Sequence, residues 1–421
     1  MRHDATHRAV RCLVRAFAAC ALLFAGAAWA QSGEPIKIGY GISQTGGLAP
    51  NGKGALLAMQ IAEEDINARG GLLGRPVKLV YYDDQTSPAN VPALYTKLLD
   101  VDKVDLVIGP YATNMVAPAM PIIMAHNKMT ISILGLNVNS QFHYPRYFST
   151  VPLGPEGPPA YSRGFFEVAK AQSPRPETVA LIAADAEFAK TSVDGARANA
   201  KAAGFKIVYD GTYPPNNTDF LPIMRAVQAA NPDVVFAAAY PPDTVGIIRA
   251  AHEIGLSPKM FGGSLIGLYV TPIKMQLGPI VNGIVINQSF LAALQFPGTA
   301  ELMKKYQAIA PEKKVDPLGY AFVPFAYAVG QLVATAVEAT QSLDDDKLAK
   351  YLHAHTVDTV IGPLSFLPDG EWTKPRILIT QFQHVDGNDL HQFDDPKKEV
   401  ILWPPEYANG KLIYPYGDAK T

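Results

Sequence analysis

Cysteine is nearly absent from this chain of 421 residues. The two cysteines that it has, Cys12 and Cys20, both lie among the first 30 residues. The remaining sequence therefore predicts no disulfide, no reactive thiol and no cysteine metal site. Cys20 follows Phe17-Ala18-Ala19, which faintly resembles a lipid-attachment motif, but Arg15 leaves almost no apolar residues before such a cleavage point. We therefore expect no lipid anchor at Cys20.

Long hydrophobic runs are also missing from the sequence. The run near the N-terminus, residues 16–27, is shorter than the about 20 residues of a membrane-spanning helix, and no later stretch is apolar enough. Four arginines precede this run and Ala28-Trp29-Ala30 follows it. A basic start, a short apolar run and an A-x-A end are typical of a secretory signal. The sequence predicts a signal peptide over residues 1–30, cleavage after Ala30 and a soluble periplasmic protein.

The chain carries no excess of positive charge. It has 36 lysines and arginines against 38 aspartates and glutamates, a net charge of −2. Proteins that bind nucleic acid usually present a basic patch or stripe. The composition therefore predicts no nucleic-acid partner.

A glycine-rich stretch after the first predicted strand is similar to a phosphate-binding loop. Gly47, Gly52 and Lys53 have the G-x-x-x-x-G-K spacing, but Gly54 stands where a Ser or Thr hydroxyl would hold magnesium. An exported protein also meets little ATP, so we expect no nucleotide and no other cofactor. Two interpretations of residues 43–54 remain open: a tight turn, or a close approach of the backbone to another ligand.

Strand-like and helix-like patterns alternate along the chain. Such alternation is typical of parallel βαβ units in a doubly wound sheet. The Pro/Gly-rich stretch VPLGPEGPPAYSRG, residues 151–164, interrupts the series, which then restarts, so we predict a domain crossing there. The predicted strands are residues 36–40, 77–82, 105–108, 129–134, 179–183, 206–209, 234–238 and 400–403, with a short one from 260, and the predicted helices are residues 55–68, 91–99, 117–126, 191–203, 220–229 and 243–254.

Several blocks of sequence resemble the leucine/isoleucine/valine-binding family of periplasmic solute-binding proteins. The first is DINARGGLLGRPVKLVYYDDQTSP, residues 65–88. It is followed, in the order of that family, by LVIGPYATNMVAPAMPII, ISILGLN, NPDVVFAAAYPPDTVGIIRAAHEIGL and TVIGPLSF. The resemblance covers nearly all of residues 35–388.

The resemblance implies an α/β fold with two doubly wound Rossmann-like lobes joined by a three-crossing hinge, the type I periplasmic binding protein fold. It places residues 35–152 and 289–360 in the N-terminal lobe and residues 153–288 and 361–421 in the C-terminal lobe. A small carboxylate-bearing molecule binds between the lobes, which close on it by hinge motion. The closed monomer then docks on ABC permease subunits in the inner membrane, where separate ATPases drive import.

The resemblance also indicates a first group of ligand-binding residues. The loop Tyr111-Ala112-Thr113-Asn114 follows a predicted strand and precedes a helix. Its hydroxyl, amide and N–H donors suit a carboxylate, and the family grips the ligand's carboxylate at this loop. Thr113 and Asn114 are the best candidates, although the same side chains could cap the helix.

Three further segments match ligand-contacting positions of the family. Gly135-Leu136-Asn137 matches a loop where amino-acid binders usually carry Ala-Thr or Ser-Thr, so that a hydroxyl is lost here. A backbone N–H of this loop could still donate, and Leu136 would offer an apolar contact. Phe188 and Tyr240 match aromatic residues of the facing lobe that cover the ligand, or else they pack in the core.

Ser264 is the difference from the amino-acid binders of the family that most affects which ligand we expect. In amino-acid binders an acidic residue near this position pairs with the ligand's ammonium, and a buried ammonium without a counter-charge is costly. Asp185 or Asp243 could replace that acid from nearby loops. We expect a ligand without an α-ammonium, such as an aromatic or other organic acid or an amide, with Tyr111 and the two facing aromatic residues available to stack on it.

An enzyme and a sensor are the alternatives to a transport protein. Asp83 and Asp84 are adjacent on a strand and point to opposite faces, His353 and His355 have the wrong spacing for one helix face, and Ser264 has no G-x-S-x-G context. We therefore predict no catalytic activity. A periplasmic protein that senses a ligand and feeds a membrane signalling partner remains an open alternative.

The C-terminal segment, residues 389–421, runs longer than the resemblance leads us to expect. It contains the strand-like residues 400–403 and three tyrosines, Tyr407, Tyr414 and Tyr416. We predict that these rings pack over the second lobe, because exposed aromatic stripes are rare. Contact with the permease is the other possibility left open.

Overall fold

The computed structural model describes residues 33–420. The predicted signal peptide over residues 1–30, with its cleavage after Ala30, lies outside the described residues. Across the described part, none of the helices combines the length and the apolar character needed to span a bilayer. Two parallel-rich β-sheets form the framework of the described residues: the first combines a three-stranded and a two-stranded piece, and the second has seven strands.

Five strands near the N-terminus build the first sheet. They are β1 (Ile36–Ile42), β2 (Val77–Asp83), β3 (Leu106–Ile108), β4 (Thr130–Ser132) and β5 (Tyr147–Ser149). β1 lies between β2 and β3 and is parallel to both, and β4 is parallel to β5. Gly109 N, directly after β3, donates to Ile131 O in β4 over 3.0 Å, which joins the pair to the other strands. Four helices connect these strands: α1 (Ala49–Ala68), α2 (Val91–Thr96), α3 (Thr113–Ala125) and α4 (Asn139–Phe142).

The second sheet begins after the Pro/Gly-rich stretch. Its parallel strands are β6 (Thr178–Ala184), β7 (Lys206–Tyr213), β8 (Val234–Ala239), β9 (Met260–Leu265) and β10 (Ile284–Gln288). In the sheet these five strands lie side by side in the order β10-β9-β8-β6-β7. The helices are α5 (Pro158–Lys170), α6 (Glu187–Ala202), α7 (Leu221–Ala229), α8 (Pro241–Glu253) and α9 (Thr271–Leu277).

After β10 the chain returns to the first sheet. It forms α10 (Thr299–Lys313), α11 (Val323–Thr340), α12 (Asp345–Ala354) and the hairpin of β11 (Val357–Thr359) and β12 (Gly362–Leu364). α11 packs along α1 at Gly330, where an added Cβ would lie 2.8 Å from the Ala62 Cβ. We call the first sheet with α1–α4, α10–α12 and this hairpin the first unit, and the second sheet with its helices the second unit.

The last crossing between the units lies close to Trp372. Trp372 Nε1 donates to Ser149 O over 3.0 Å, and Ser149 N donates to Gly370 O over 2.9 Å. The chain up to Trp372 therefore stays with the first unit, and we infer that the third crossing follows Trp372 rather than falling at the predicted lobe boundary between residues 360 and 361. The lobe boundaries drawn from the sequence otherwise stay a prediction.

Two C-terminal strands complete the second sheet. β13 (Leu378–Phe382) is antiparallel to β10, and β14 (Glu399–Trp403) is antiparallel to β13, giving seven strands in all. The Tyr416 ring lies edge-on to Phe261 at 5.6 Å between centroids, and Tyr414 Oη donates to Pro174 O over 2.6 Å. The predicted packing of the C-terminal segment over the second half of the protein is confirmed.

A buried ion pair fastens β14 to the rest of the second unit. Lys274 Nζ in α9 lies 3.3 Å from Glu399 Oε2, and both side chains are less than a tenth exposed (8% and 4%). The other carboxylate oxygen accepts from Gln288 Nε2 at 2.9 Å and from Thr380 Oγ1 at 3.1 Å. The pair therefore links α9, β10, β13 and β14 inside the sheet.

All the helices predicted in the first 265 residues are present, and the strands are too. The largest boundary error is at α1, which begins at Ala49 with Pro50 in its first turn rather than at residue 55. Gly52 and Gly54 thus lie inside the helix. A Cβ on Gly52 would come within 2.0 Å of Ser43 O. Close packing of α1 on the end of β1 therefore accounts for Gly52, which favours the interpretation that needs no ligand.

Candidate functional site

An aromatic cavity lies between the two units. About 440 Å³ of space there is not filled by atoms, a volume that includes open solvent, and the centres of water-sized spheres can occupy only about 30 Å³ of it, so that the cavity is narrow. Six aromatic rings line it, contributed by both units. The lining residues are Tyr111, Tyr161, Phe188, Tyr240, Tyr269 and Phe322, together with Ala112, Thr113, Leu134, Leu136, Val151, Ile266 and Ser289.

The first unit contributes the start of α3 to the cavity wall. Ala112 N donates to Ile133 O over 3.2 Å, and Ala112 has a φ of +75°, which alanine seldom adopts. This turn places Thr113 as the first residue of α3, at the end where free N–H groups and the helix dipole favour an anion. Thr113 Oγ1 also accepts from Leu136 N at 2.9 Å, which ties the second predicted ligand loop to the first.

Three aromatic residues of the second unit reach the cavity from helices or from the residue before a helix. Phe188 lies in the first turn of α6, Tyr240 directly precedes α8, and Tyr161 lies in α5. The Phe188 ring meets Tyr240 at 5.6 Å and Tyr161 at 6.1 Å between centroids, both edge-on. Burial raises the pKa of the Tyr240 phenol, so this side chain is neutral at physiological pH.

Phe322 connects the aromatic walls of the two units. Its ring lies edge-on to Tyr111 at 5.2 Å and tilted against Tyr269 at 6.0 Å. Tyr111 Oη accepts from Asn51 Nδ2 over 2.7 Å, which fixes the tyrosine from behind. A ligand in this cavity is therefore surrounded by rings that are already packed against one another.

A buried polar network supports the second wall. The Tyr161 and Tyr269 hydroxyls lie 3.1 Å apart, and Tyr269 Oη donates to Asn287 Oδ1 over 3.3 Å. Asn287 Nδ2 reaches Ser264 Oγ at 3.2 Å, and Ser264 in turn bonds Ser192 at 2.6 Å. Ser264 is fully buried and does not line the cavity.

The structure brings together five of the nine residues that were predicted to bind ligand. Tyr111, Thr113, Leu136, Phe188 and Tyr240 line the cavity. That they contact ligand stays a prediction.

The other four predicted site residues, Asn114, Gly135, Asn137 and Ser264, lie outside the lining. Asn114 is the second residue of α3, and Asn137 Nδ2 donates to Ser140 Oγ at 3.0 Å. Gly135 is tightly packed, since a Cβ there would lie 3.0 Å from Ser132 Oγ. The Leu136 N–H, one of the backbone donors of this loop, donates to Thr113 Oγ1 and is not free for the ligand.

The cavity lining holds no acidic and no basic side chain. Of the two acids considered as replacements at Ser264, Asp243 is buried in α8 and accepts from Tyr213 Oη at 3.1 Å. Burial raises the pKa of Asp243, which disfavours its charged form. Asp185 is half exposed and pairs with Lys190. Neither residue lines the cavity.

Sequence reasoning missed Tyr161, Tyr269, Phe322 and Ser289 as lining residues. Tyr161 stands in the Pro/Gly-rich stretch that was interpreted as a crossing, although α5 begins there at Pro158. Tyr269 and Phe322 belong to no recognisable motif. Only the placement of the two units side by side brings their rings to the cavity.

Comparison with protein families gives one match over most of the chain. The family is described as periplasmic binding protein, and the match covers residues 35–386. The chain belongs to this family.

Relatives of this periplasmic binding protein support the assignment. The Leu/Ile/Val-binding protein of Escherichia coli (strain K12) is 26% identical over 339 residues, 80% of this chain and 88% of the relative. A branched-chain amino acid transporter substrate-binding protein from Streptococcus pneumoniae, in complex with isoleucine, superimposes with a TM-score of 0.71 at 19% identity and covers 88% of this chain and all of its own (100%).

A second solved structure shares the same fold. The solute-binding protein of an ABC transporter from R. palustris, in complex with benzoate, has a TM-score of 0.74 at 18% identity, covering 88% of this chain and 96% of its own. These structural likenesses confirm the predicted fold class, the type I periplasmic binding protein fold. The family match and the Escherichia coli relative confirm the predicted resemblance to Leu/Ile/Val-binding proteins.

Proposed function

We propose that this protein is the extracytoplasmic solute-binding component of an ABC importer of the branched-chain amino acid type. It captures a small carboxylate-bearing ligand between its two units in the periplasm and delivers it as a monomer to inner-membrane permease subunits, whose ATPases act separately. It binds and releases its ligand without chemical conversion. Family membership and the cavity between the units support this proposal.

The ligand that the cavity fits best is an aromatic or other organic acid without an α-ammonium. One observation carries this conclusion: six aromatic rings line the cavity, and no acidic side chain does. An α-amino acid would bring a buried ammonium with no counter-charge beside it. An aromatic ring, by contrast, gains from packing edge-on or offset against the surrounding rings.

The carboxylate would bind at the first unit. Thr113 and the N-terminal N–H groups of α3 offer donors there, and the helix dipole favours negative charge. The ring of the ligand would extend between Phe188, Tyr240 and Tyr161 of the second unit. Among structures of similar fold, one holds benzoate and another isoleucine, so the fold accommodates both classes and the cavity lining decides between them.

Calorimetric titration and thermal melting of the chain from Gln31 onward test the proposal. The ligands are benzoate, phenylacetate, aliphatic acids, their amides, leucine, isoleucine and valine. A ligand at 100 times its dissociation constant stabilises the folded state by about 2.7 kcal/mol, which gives a clear shift in Tm. We expect the shift with aromatic acids. Tight binding of the branched-chain amino acids alone would overturn the assignment of ligand class.

A further inference from the structure

Asn287 has a fixed amide orientation behind the cavity wall. Its Nδ2 lies 3.2 Å from the backbone carbonyl oxygen of Tyr161, an atom that can only accept a hydrogen bond. A flipped amide would set two oxygens against each other. Asn287 Oδ1 therefore faces Tyr269, and the Tyr269 hydroxyl must donate to it over 3.3 Å.

This orientation determines the direction of the next hydrogen bond. A tyrosine hydroxyl has one hydrogen, and Tyr269 gives its hydrogen to Asn287. In the 3.1 Å contact between the two hydroxyls, Tyr161 must then be the donor. Tyr161 Oη has no hydrogen left for a ligand and keeps only acceptor capacity. We call the chain of hydrogen bonds from Tyr161 through Tyr269 to Asn287 the relay. Burial raises the pKa of Tyr161 to about 12, so that its hydroxyl stays protonated and the relay stays intact at physiological pH.

The opposite wall has the opposite polarity. Thr113 Oγ1 accepts from the Leu136 N–H, which can only donate, so that the Thr113 hydroxyl hydrogen remains available for an acceptor. The first unit thus offers a donor and the positive end of α3, and the second unit offers an acceptor at Tyr161. Thr113 and Tyr161 both line the cavity, one from each unit, so a ligand that lies across it can meet a donor at one end and an acceptor at the other.

We propose that the ligand is an aromatic acid that carries a hydroxyl or amino group on its ring, away from the carboxylate, and that Tyr161 Oη accepts a hydrogen bond from this group. The inference rests on the proposed function and narrows it from aromatic acids in general to those with a ring donor. Tyr161 is then the residue that selects among aromatic acids. Tyr269 and Asn287 position it by fixing the direction of its hydroxyl.

Affinities for matched ligands test the inference. Calorimetric titration compares 3- and 4-hydroxybenzoate and 4-aminobenzoate with the corresponding fluorobenzoates and with benzoate. Fluorine has nearly the size of a hydroxyl but no hydrogen to donate. We expect at least one donor-bearing acid to bind about tenfold tighter than its fluoro counterpart, since a site built to accept a hydrogen bond rejects an analogue that lacks the donor.

Two variants separate the relay from general packing. Tyr269→Phe removes the acceptor of the Tyr161 hydrogen, so that Tyr161 can itself donate, and we expect 4-formylbenzoate, whose ring substituent can only accept, to bind this variant about tenfold tighter than it binds the unchanged protein. Ser192→Ala is the matched control, because it removes a hydroxyl from the far end of the same network without changing the orientation of Asn287. We expect Ser192→Ala to keep the ratio of the affinities for hydroxy and fluoro acids of the unchanged protein.

The outcomes distinguish the two proposals. Equal affinity for hydroxy and fluoro acids in the unchanged protein would overturn the assignment of Tyr161 while leaving aromatic acids as the ligand class. Absence of binding by every aromatic acid, with binding of leucine or valine, would overturn the proposed ligand class as well. If Tyr269→Phe bound 4-formylbenzoate no tighter than the unchanged protein does, the relay would be wrong. If Tyr269→Phe does not fold, the ratio of the affinities for hydroxy and fluoro acids in the unchanged protein still tests the assignment of Tyr161.

Discussion

Asp316 Oδ2 accepts a hydrogen bond from the Thr271 backbone N–H over 2.9 Å, and this bond joins the two units outside the ligand cavity. Thr271 is the first residue of α9 in the second unit. Asp316 lies between α10 and α11 of the first unit, where its other oxygen accepts from Leu318 N and Gly319 N at 3.0 and 3.2 Å. A carboxylate held by its own loop thus also caps a helix of the opposite unit.

We expect loss of this bond to shift the protein toward an open arrangement. Thr271→Pro removes the N–H donor together with the threonine side chain and should leave the backbone in place, because proline suits the first helical position and Val270 before it is extended (φ −99°, ψ 120°). A hydrogen bond made only when the units are closed adds its free energy to ligand affinity. Affinity should fall about three- to tenfold, since such a bond contributes about 1 kcal/mol.

Titration calorimetry measures the affinity, and small-angle scattering of the ligand-free protein measures the radius of gyration, which should increase. Thr271→Val keeps the backbone donor and most of the side-chain shape, and serves as the control. Equal affinities for the two variants would show that the bond does not contribute to closure.

Thr113→Val should weaken ligand binding by about tenfold or more. The substitution removes the hydroxyl that would reach the carboxylate and leaves the Leu136 N–H without its acceptor. Thr113→Ser keeps the hydroxyl and should bind within about threefold of the unchanged protein. Calorimetry with the best aromatic acid measures both. If Val and Ser were equivalent at this position, Thr113 would have no role as a hydrogen-bonding residue.

The Glu371 carboxyl should make the stability of the fold depend on pH. It is buried (4% exposed), and burial together with nearby Asp369 raises its pKa to about 8 from the ordinary 4.5. Between these two values the unfolded chain releases a proton that the folded chain keeps, so this carboxyl lowers the free energy of unfolding as pH rises from 4.5 to 8.

Glu371→Gln removes that proton release and should be the more stable protein at pH 8, by on the order of a few kcal/mol, with the difference vanishing near pH 4.5. Urea unfolding at several pH values measures it. Glu338→Gln, on the exposed face of α11, is the control and should show no such trend. A constant difference between Glu371→Gln and the unchanged protein across this range would contradict the prediction.

Removing one partner of the Lys274–Glu399 pair should lower the free energy of unfolding strongly. Lys274→Met leaves a buried carboxylate without its cation, which typically destabilises a protein by about 3–5 kcal/mol. Combining it with Glu399→Gln should recover part of that loss, because no charge then remains buried. Denaturant unfolding compares the two. A double variant less stable than Lys274→Met would show that Glu399 has its main role in the hydrogen bonds to Gln288 and Thr380.

Much of the fold was predictable because it depends on local patterns. The buried strands and the helices between them follow from periodicity, and the loop at Tyr111 and Thr113 follows from its place after β3. Ser264, which was predicted to contact the ligand, lies outside the cavity lining for a reason that involves neighbouring strands. A Cβ on Gly262 would come within 1.6 Å of Val285 O, so β9 lies tightly between β8 and β10, and Ser264 points to Ser192 in α6.

The aromatic wall could not be derived from the sequence in the same way. Tyr161, Tyr269 and Asn287 are far apart in the chain, and their hydrogen bonds exist only once α5, the segment after β9, and β10 are packed together. Tertiary contacts of this kind produce no regular spacing of residues in the sequence from which they could be predicted. The preference of the cavity for a donor or an acceptor is therefore a property of the packed second unit.

The strand β14 protects β13 from exposure as a sheet edge. Without residues 399–403, β13 would present a row of unpaired backbone donors and acceptors, the kind of surface on which other chains pair and aggregate. The family match ends at residue 386, before this strand begins. Shortened versions of the protein designed to that boundary would therefore be prone to aggregate, even though every residue lining the cavity would be retained.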